Sequence, residues 1–282
     1  MFKNFDLKDI DFTKYIFFTG KGGVGKTSTA CALAVALADS GKKIMLISTD
    51  PASNLQDVFN TELNNKGVTI KEVPNLIVAN FDPEEAAAEY RESVIGPYRG
   101  KLPEIVIENM EEQLSGSCTV EIAAFNEFSG FITDKKVAEA YDHIIFDTAP
   151  TGHTLLLLES TQSYNKEITR TQGDIPESVQ KLLPKLKDDS LTEVLIITLA
   201  EATPFYEAKR LQEDLYRAGI FSKWWIINSS FYGTNSSNEI LKAKSASEVQ
   251  WINAVNEISN GNFSLISWTP EELRGENLTN LF

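Results

Sequence analysis

The stretch Gly20-Lys21-Gly22-Gly23-Val24-Gly25-Lys26-Thr27 decides the fold of this chain. Two glycines five positions apart, followed by Lys and Thr, have the spacing of a loop that surrounds phosphate groups with backbone N–H donors. In such a loop Lys26 places a positive charge on the β and γ phosphates, and the Thr27 hydroxyl ligates Mg²⁺. The alternative is a glycine-rich turn that binds nothing.

The residues on either side of this loop favour the phosphate-binding interpretation. Tyr15-Ile16-Phe17-Phe18 is typical of a buried strand. After the loop, apolar residues recur at the spacing of one helix face, at Ala30, Leu33, Ala34 and Leu37. A helix that begins at the loop directs the positive end of its dipole at a bound phosphate.

Composition limits the classes of function. The net charge of −14 disfavours nucleic acid as a partner, because a phosphate backbone binds basic surfaces. No apolar run approaches the roughly 18 residues of a membrane span, so we expect no direct span. The only two cysteines, Cys31 and Cys118, form no disulfide framework, which predicts a cytoplasmic protein.

Strand patterns alternate with helix patterns along the chain. Apolar runs predict further strands at 43–48, 76–81, 143–147, 193–198, 223–228 and 263–267. Because these runs are apolar on both faces, we predict an α/β fold: a mostly parallel sheet with helices on both faces. Residues 82–140 carry helical patterns only and predict a helical layer over the nucleotide edge, inserted into a single domain of residues 1–282.

Polar residues at strand ends are the candidates for catalysis. Asp147 ends an apolar run and is the expected Mg²⁺ acid, while Asp50 is the candidate for Mg²⁺ and for orienting the attacking water. Each could instead cap a helix or lie in a solvated turn. Asn228 could contact the adenine edge or belong to a plain Asn-Ser-Ser turn. With these, the predicted nucleotide-binding residues are Gly20, Lys21, Gly22, Gly23, Val24, Gly25, Lys26, Thr27, Ser28 and Asn228.

Two resemblances sharpen the interpretation. Lys21, directly after the first glycine, resembles the signature lysine of the deviant phosphate-loop ATPases, whose members form nucleotide-sandwich dimers. Further motifs resemble the arsenite-pump-driving ATPases over most of the chain. These motifs are Phe17-Phe18-Thr19, Ser48-Thr49-Asp50-Pro51-Ala52-Ser53-Asn54, Glu112-Gln113-Leu114-Ser115-Gly116-Ser117-Cys118-Thr119, Phe146-Asp147-Thr148-Ala149-Pro150-Thr151-Gly152-His153-Thr154 and Trp225-Ile226-Ile227-Asn228-Ser229.

The resemblance implies an ATPase that uses ATP and Mg²⁺ and energises arsenite or antimonite efflux through an integral membrane carrier. It implies catalytic roles for Lys21, Lys26 and Asp50, and a metalloid site that includes Cys118 and His153. Many family members carry two such halves, so a single half implies a homodimer. A metallochaperone partner, and a peripheral position at the inner face of the cell membrane, also follow from the resemblance.

Other interpretations stay open at this point. Lys21 could be a solvated loop lysine, Cys118 an inert buried residue and His153 a loop cap. A related class targets tail-anchored membrane proteins and commonly uses a methionine-rich groove, whereas this chain has three methionines. A non-transporting interaction switch, like the septum-placing or partitioning ATPases, is the third alternative.

Overall fold

The computed structural model describes residues 2–48, 54–147, 177–234, 237–271 and 274–282. One eight-stranded sheet with the order β3-β4-β2-β5-β1-β6-β7-β8 runs through it. The strands are β1 (Tyr15–Thr19), β2 (Ile44–Ser48), β3 (Val68–Thr69), β4 (Leu76–Asn80), β5 (His143–Asp147), β6 (Thr192–Thr198), β7 (Ser222–Ser230) and β8 (Phe263–Ser267). All neighbouring pairs are parallel except β3–β4, which is antiparallel.

Helices cover both faces of the sheet. They are α1 (Lys26–Asp39), α2 (Leu55–Phe59), α3 (Pro83–Ile95), α4 (Glu104–Gln113), α5 (Ser117–Thr133), α6 (Lys135–Ala140), α7 (Glu177–Lys187), α8 (Ala202–Arg217) and α9 (Glu239–Ile258). Three short 3₁₀ helices lie at Leu7–Asp9, Gly96–Tyr98 and Gly275–Leu281. None of the helices in the described ranges is long and apolar enough to cross a lipid bilayer.

Alternate residues of the strands pack into two different layers. Phe18 of β1 faces α1, α2 and the last 3₁₀ helix, in a core that includes Leu33 and Leu278. Phe17, the preceding residue, faces α5, α7 and α8 and stacks on Phe146 with ring centroids 4.5 Å apart. Because side chains alternate along a strand, apolar runs without polar interruption are needed to fill both layers. The predicted α/β fold with helices on both faces is confirmed.

Local sequence signals coincide with two helix ends. The Asp82 side chain caps α3 by accepting from the backbone N–H groups of Glu84 and Glu85, and Pro83 is the first residue of the helix. Gly41, with φ of +92°, lies just beyond the end of α1, where a left-handed residue closes a helix.

Some local patterns in the sequence do not match the structure. Residues 60–75 have the composition of a polar connection, yet they include β3, a two-residue strand too short to show a period. Thr203-Pro204 has the pattern of a helix cap and a first helical residue, yet α8 begins at Ala202 and no side chain caps it. Val106, Met110 and Leu114 are spaced as one apolar stripe, yet α4 buries Ile107 and leaves Val106 38% exposed.

Parallel strands bring their carboxyl ends to one edge of the sheet. Phe18 pairs with Asp147 in the register of β1 and β5, and Ser48 pairs with Asp147 in that of β2 and β5. The phosphate loop leaves β1 at this same edge. Helices α3 to α6 form the stretch between β4 and β5. The residues that the sequence singled out on separate strands therefore meet where α/β sheets bind ligands.

Candidate functional site

The backbone of the phosphate loop needs glycine at specific positions. Gly20 has φ of +151°, and a Cβ there would lie 2.2 Å from the carbonyl oxygen of Ile197. Gly25 has φ of +92°, and a Cβ there would lie 2.1 Å from Nδ2 of Asn228. Both glycines are thus required by sterics as well as by backbone conformation, because the loop passes directly against β6 and β7.

The loop ends at the amino terminus of α1. Gly25 is the N-cap and offers no side chain to the first turn. Helix N-termini carry N–H groups without intrahelical partners and a positive partial charge, which together suit an anion. Lys26, the first residue of the helix, is 7% exposed, and its Nζ donates to the carbonyl oxygen of Lys21 at 3.2 Å. That contact holds the ammonium group under the loop.

A hydroxyl and a carboxylate meet beside the loop. Thr27 Oγ1 donates a 2.7 Å hydrogen bond to Oδ2 of Asp147, whose side chain is 1% exposed at the end of β5. Two oxygen donors of this kind are ligands that suit Mg²⁺. Burial, together with the nearby Asp147 charge, raises the pKa of the Cys31 thiol well above its usual value, so this thiol stays protonated. Among the described residues, the two side chains that meet beside the loop, Thr27 and Asp147, are oxygen ligands and suit a hard cation.

Asn228 joins β7 to the phosphate loop. Its Nδ2 donates to the carbonyl oxygen of Val24 at 2.9 Å. Its Oδ1 is buried and has no hydrogen-bond partner among the described residues. The next residue, Ser229, has φ of +51°, a left-handed conformation that is uncommon for a residue other than glycine. The sequence suggested that Asn228 contacts a base, and the structure adds a direct bond to the loop.

A cleft of about 600 Å³ opens next to Asn228. Its lining includes Gly25 and Ser28 next to the phosphate loop, and Trp268 and Arg274 after the last strand. A cavity of this size suits a small-molecule ligand. Sequence reasoning missed Trp268 and Arg274, although one signal was available: they follow the last strand, at the sheet edge where the phosphate loop lies.

The Lys21 side chain forms an ion pair outside the phosphate loop. Its Nζ lies 3.5 Å from Oε1 of Glu207 on α8, and the two side chains are 35% and 39% exposed. An ion pair this open to solvent contributes little to stability. The contact leaves the Lys21 ammonium group at the surface of the phosphate loop.

Several predicted site residues lie outside the described residues. They include Asp50 and His153, with the loops around them, residues 49–53 and 148–154. Cys118 is the second residue of α5, and its side chain also falls outside the description. Within the described ranges no group of three or more His, Cys, Asp and Glu side chains could hold a metal ion. The metalloid site therefore stays a prediction from sequence.

Comparison with known proteins fits this phosphate-binding geometry. The model of the anion-transporting ATPase family matches residues 13–175 and 173–281. The chain belongs to the anion-transporting ATPase family. The resemblance to arsenite-pump-driving ATPases drawn from the motifs is thereby confirmed.

Three relatives differ in their identity to this chain and in the share of each protein that the similarity covers. An arsenical pump-driving ATPase of Escherichia coli is 39% identical over 245 residues, which cover 81% of this chain and 41% of that protein. The chain thus spans about two fifths of that longer relative. A putative arsenical pump-driving ATPase 2 of Aquifex aeolicus is 34% identical, with 86% of this chain and 88% of that protein covered. The ATPase GET3 of Paracoccidioides lutzii is 28% identical over 96% of this chain and 89% of its own length.

Proposed function

We propose that this anion-transporting ATPase family member binds ATP with Mg²⁺ and hydrolyses it. The observation that carries the proposal is the Thr27–Asp147 hydrogen bond beside the phosphate loop, because it brings two Mg²⁺-ligating oxygens to the start of α1. Bound Mg²⁺ would neutralise charge on the β and γ phosphate oxygens. The residues that would hold it are Thr27 and Asp147, with Asp50 as a further candidate.

The remaining groups have separate tasks in this proposal. The backbone N–H groups from Gly22 to Thr27 surround the β phosphate, and the buried Lys26 ammonium group stabilises negative charge as the γ phosphate leaves. Asp50 orients the attacking water. The Asn228 side-chain amide, which lines the cleft, contacts the adenine edge, whose exocyclic amino donor guanine does not offer at that position.

We further propose a homodimer in which Lys21 acts on the nucleotide of the partner subunit. A position at the loop surface, 3.5 Å from Glu207, suits a lysine that exchanges one anionic partner for another. The Glu207 contact would then hold Lys21 only until a partner's phosphate replaces it.

The transported species in this proposal is arsenite or antimonite, moved through a membrane carrier. The named relatives from Escherichia coli and Aquifex aeolicus support it, as does the Cys118 motif. Arsenite prefers soft thiolate ligands. Cys31 is fully buried in α1, so Cys118 is the one thiol per subunit left for a metalloid, with His153 as its companion.

The test measures ATP turnover with and without arsenite or antimonite, in the wild type, Lys26→Ala and Cys118→Ser. We expect Lys26→Ala to lose turnover under all conditions, and Cys118→Ser to lose only the increase caused by metalloid. Unchanged turnover in Lys26→Ala would refute the ATPase proposal. Equal rates with and without metalloid in the wild type would refute the arsenite proposal alone.

A second candidate function is the targeting of tail-anchored membrane proteins. The structure offers an exposed apolar group around α4, where Tyr98, Leu102 and Ile105 are 47%, 39% and 63% exposed. Exposed apolar patches mark interaction sites. The similarity to ATPase GET3 also runs over nearly the whole chain. Co-purification of the wild type, but not of Ile105→Glu, with a hydrophobic C-terminal helix would favour this function over metalloid transport.

A further inference from the structure

A buried acid lies behind the nucleotide cleft. Glu248, on α9, is 2% exposed. Its Oε2 accepts two hydrogen bonds, one from Ser230 Oγ at 2.8 Å and one from the backbone N–H of Phe231 at 2.9 Å. Burying a carboxylate is unfavourable unless it is hydrogen-bonded. An apolar side chain could be buried at this position at a lower free-energy cost, so the presence of an acid needs an explanation.

The two donors to Glu248 belong to the turn that ends β7. Ser230 Oγ also accepts from the backbone N–H of Tyr232 at 3.1 Å, so hydroxyl and carboxylate together fix the backbone after the strand. The carbonyl oxygen of Ser230 accepts from the backbone N–H of Trp268 at 2.9 Å. The Phe231 and Trp268 rings are stacked, with centroids 5.2 Å apart. Glu248 therefore fixes the turn, and this turn positions Trp268.

The residue that contacts the phosphate loop lies on the same strand, just before this turn. Asn228 precedes Ser230 by two positions and bonds to Val24 of the loop. Ser229 between them is left-handed, a conformation that persists only where its surroundings hold it. Asn228 and Trp268 both line the cleft. The buried carboxylate thus fixes the end of the strand that carries Asn228 and, through Ser230, the backbone at Trp268.

We propose that Glu248 is a positioning residue for nucleobase selection. It holds Asn228 and Trp268 in the arrangement that receives adenine, and it touches no part of the nucleotide. This inference rests on the proposed ATP site. This role depends on the two hydrogen bonds and not on the negative charge, because a neutral amide oxygen at the same place could accept both of them.

The experiment compares Glu248→Gln, which keeps an acceptor oxygen, with Glu248→Leu, which removes it. The readout is the ratio of dissociation constants for ATP and GTP. We expect Glu248→Leu to weaken ATP binding about tenfold with little change for GTP, the effect of one lost hydrogen bond on the preferred base. Glu248→Gln keeps the wild-type ratio within about twofold. Ser230→Ala, a milder change that removes one donor, shifts the ratio in the direction of Glu248→Leu.

A matched control separates selection from general destabilisation. Val255→Ala removes buried volume from the same helix and leaves both hydrogen bonds to Glu248 in place. If Val255→Ala changes the ATP-to-GTP ratio as much as Glu248→Leu does, or if Glu248→Leu leaves the ratio unchanged, the inference is overturned. Should Glu248→Leu fail to fold, an unchanged ratio in Ser230→Ala overturns it equally.

A second measurement needs no nucleotide. Hydrogen exchange of the Phe231 amide in the free protein should accelerate in Glu248→Leu but not in Glu248→Gln or Val255→Ala, because only the leucine removes its acceptor. If the wild type binds no ATP, the proposed function is refuted. Faster exchange of the Phe231 amide in Glu248→Leu would still support the role of Glu248 in the turn. Unchanged exchange would refute that role.

Discussion

Thr27 Oγ1 donates a 2.7 Å hydrogen bond to Asp147 Oδ2 and so joins the first turn of α1 to the end of β5. The two residues are 120 positions apart in the chain. The bond fixes the rotamer of the hydroxyl and the orientation of the carboxylate before any ligand arrives. Such preorganisation lowers the reorganisation needed when Mg²⁺ and ATP bind.

Replacing this hydroxyl tests the proposed Mg²⁺ site. Thr27→Val keeps the shape of the side chain and removes the oxygen, whereas Thr27→Ser keeps the oxygen. We expect Thr27→Val to raise the Mg²⁺ concentration for half-maximal turnover by at least about tenfold, since one ligand is lost. Thr27→Ser should stay within about threefold of the wild type. A Mg²⁺ titration of ATP turnover measures these concentrations. The same half-maximal Mg²⁺ concentration for Thr27→Val and Thr27→Ser would contradict the role of Thr27 as a Mg²⁺ ligand.

The two glycines at the end of the phosphate loop should respond differently to alanine. Gly25→Ala brings a Cβ to 2.1 Å from Asn228 Nδ2 in a left-handed backbone, and so displaces the loop or the asparagine. Gly23→Ala meets no atom within 4 Å and bears only the backbone strain of φ +81°, about 1–2 kcal/mol.

Thermal unfolding and ATP binding together measure this difference. Both variants should unfold at lower temperature than the wild type, and Gly25→Ala should lose ATP binding as well. The contact between Gly25 and Asn228 would be unimportant if the two variants bound ATP equally well.

The fold could be predicted because its signals are local. Apolar runs, the glycine spacing of residues 20–27 and the Asp82-Pro83 helix start each act within a few residues. These signals do not depend on how distant parts of the chain meet. The doubly covered parallel sheet follows from strands without a polar face, and it is confirmed.

The parts that escaped prediction depend on distant contacts. Trp268 reaches the cleft only because β8 lies next to β7, whose turn accepts its backbone N–H at Ser230. The bond from Asn228 to Val24 likewise needs the strand order, with β7 two places from β1. The strand β3 has two residues and so carries no periodic signal. The roles of Asp50, Cys118 and His153 stay predictions from sequence.

Lys21 should matter for turnover and hardly at all for stability. Its ion pair with Glu207 is 3.5 Å long and largely open to solvent, so Lys21→Ala should change the free energy of unfolding by less than about 0.5 kcal/mol. If the ammonium group stabilises the transferring phosphate, turnover should fall at least about 100-fold. Glu207→Gln removes the same ion pair but keeps the lysine, and turnover should be retained.

A subunit-mixing experiment tests whether Lys21 acts across the proposed dimer. Lys21→Ala and Lys26→Ala are each expected to be inactive alone. In a mixed dimer, the intact Lys26 of one subunit and the intact Lys21 of the other would serve the same site, so mixing should restore turnover. Restoration is the result expected of action on the partner's nucleotide, and a mixture as inactive as its components would contradict it.

Glu193 should make stability depend on pH from a site remote from the phosphate loop. Its side chain, on β6, is 2% exposed, and burial raises its pKa to about 7 from 4.5. The Lys223 charge and a backbone hydrogen bond from Thr13 oppose that rise, while Asp11 adds to it. Oε2 has no hydrogen-bond partner among the described residues.

The sign follows from the two protonation states. Since the pKa of Glu193 is higher in the folded protein, folding favours the protonated acid. The contribution of this group to the stability of the folded state is complete below about pH 4.5 and is lost as the pH rises through about 7. We therefore expect the unfolding free energy of Glu193→Gln, relative to wild type, to rise by about 2–3 kcal/mol from pH 5 to pH 8. Urea unfolding at both pH values measures this difference, and groups common to both proteins cancel. Glu213→Gln makes the same chemical change at an exposed position of α8 and is the control. Parallel pH curves for wild type and Glu193→Gln would contradict the expected shift of the Glu193 pKa.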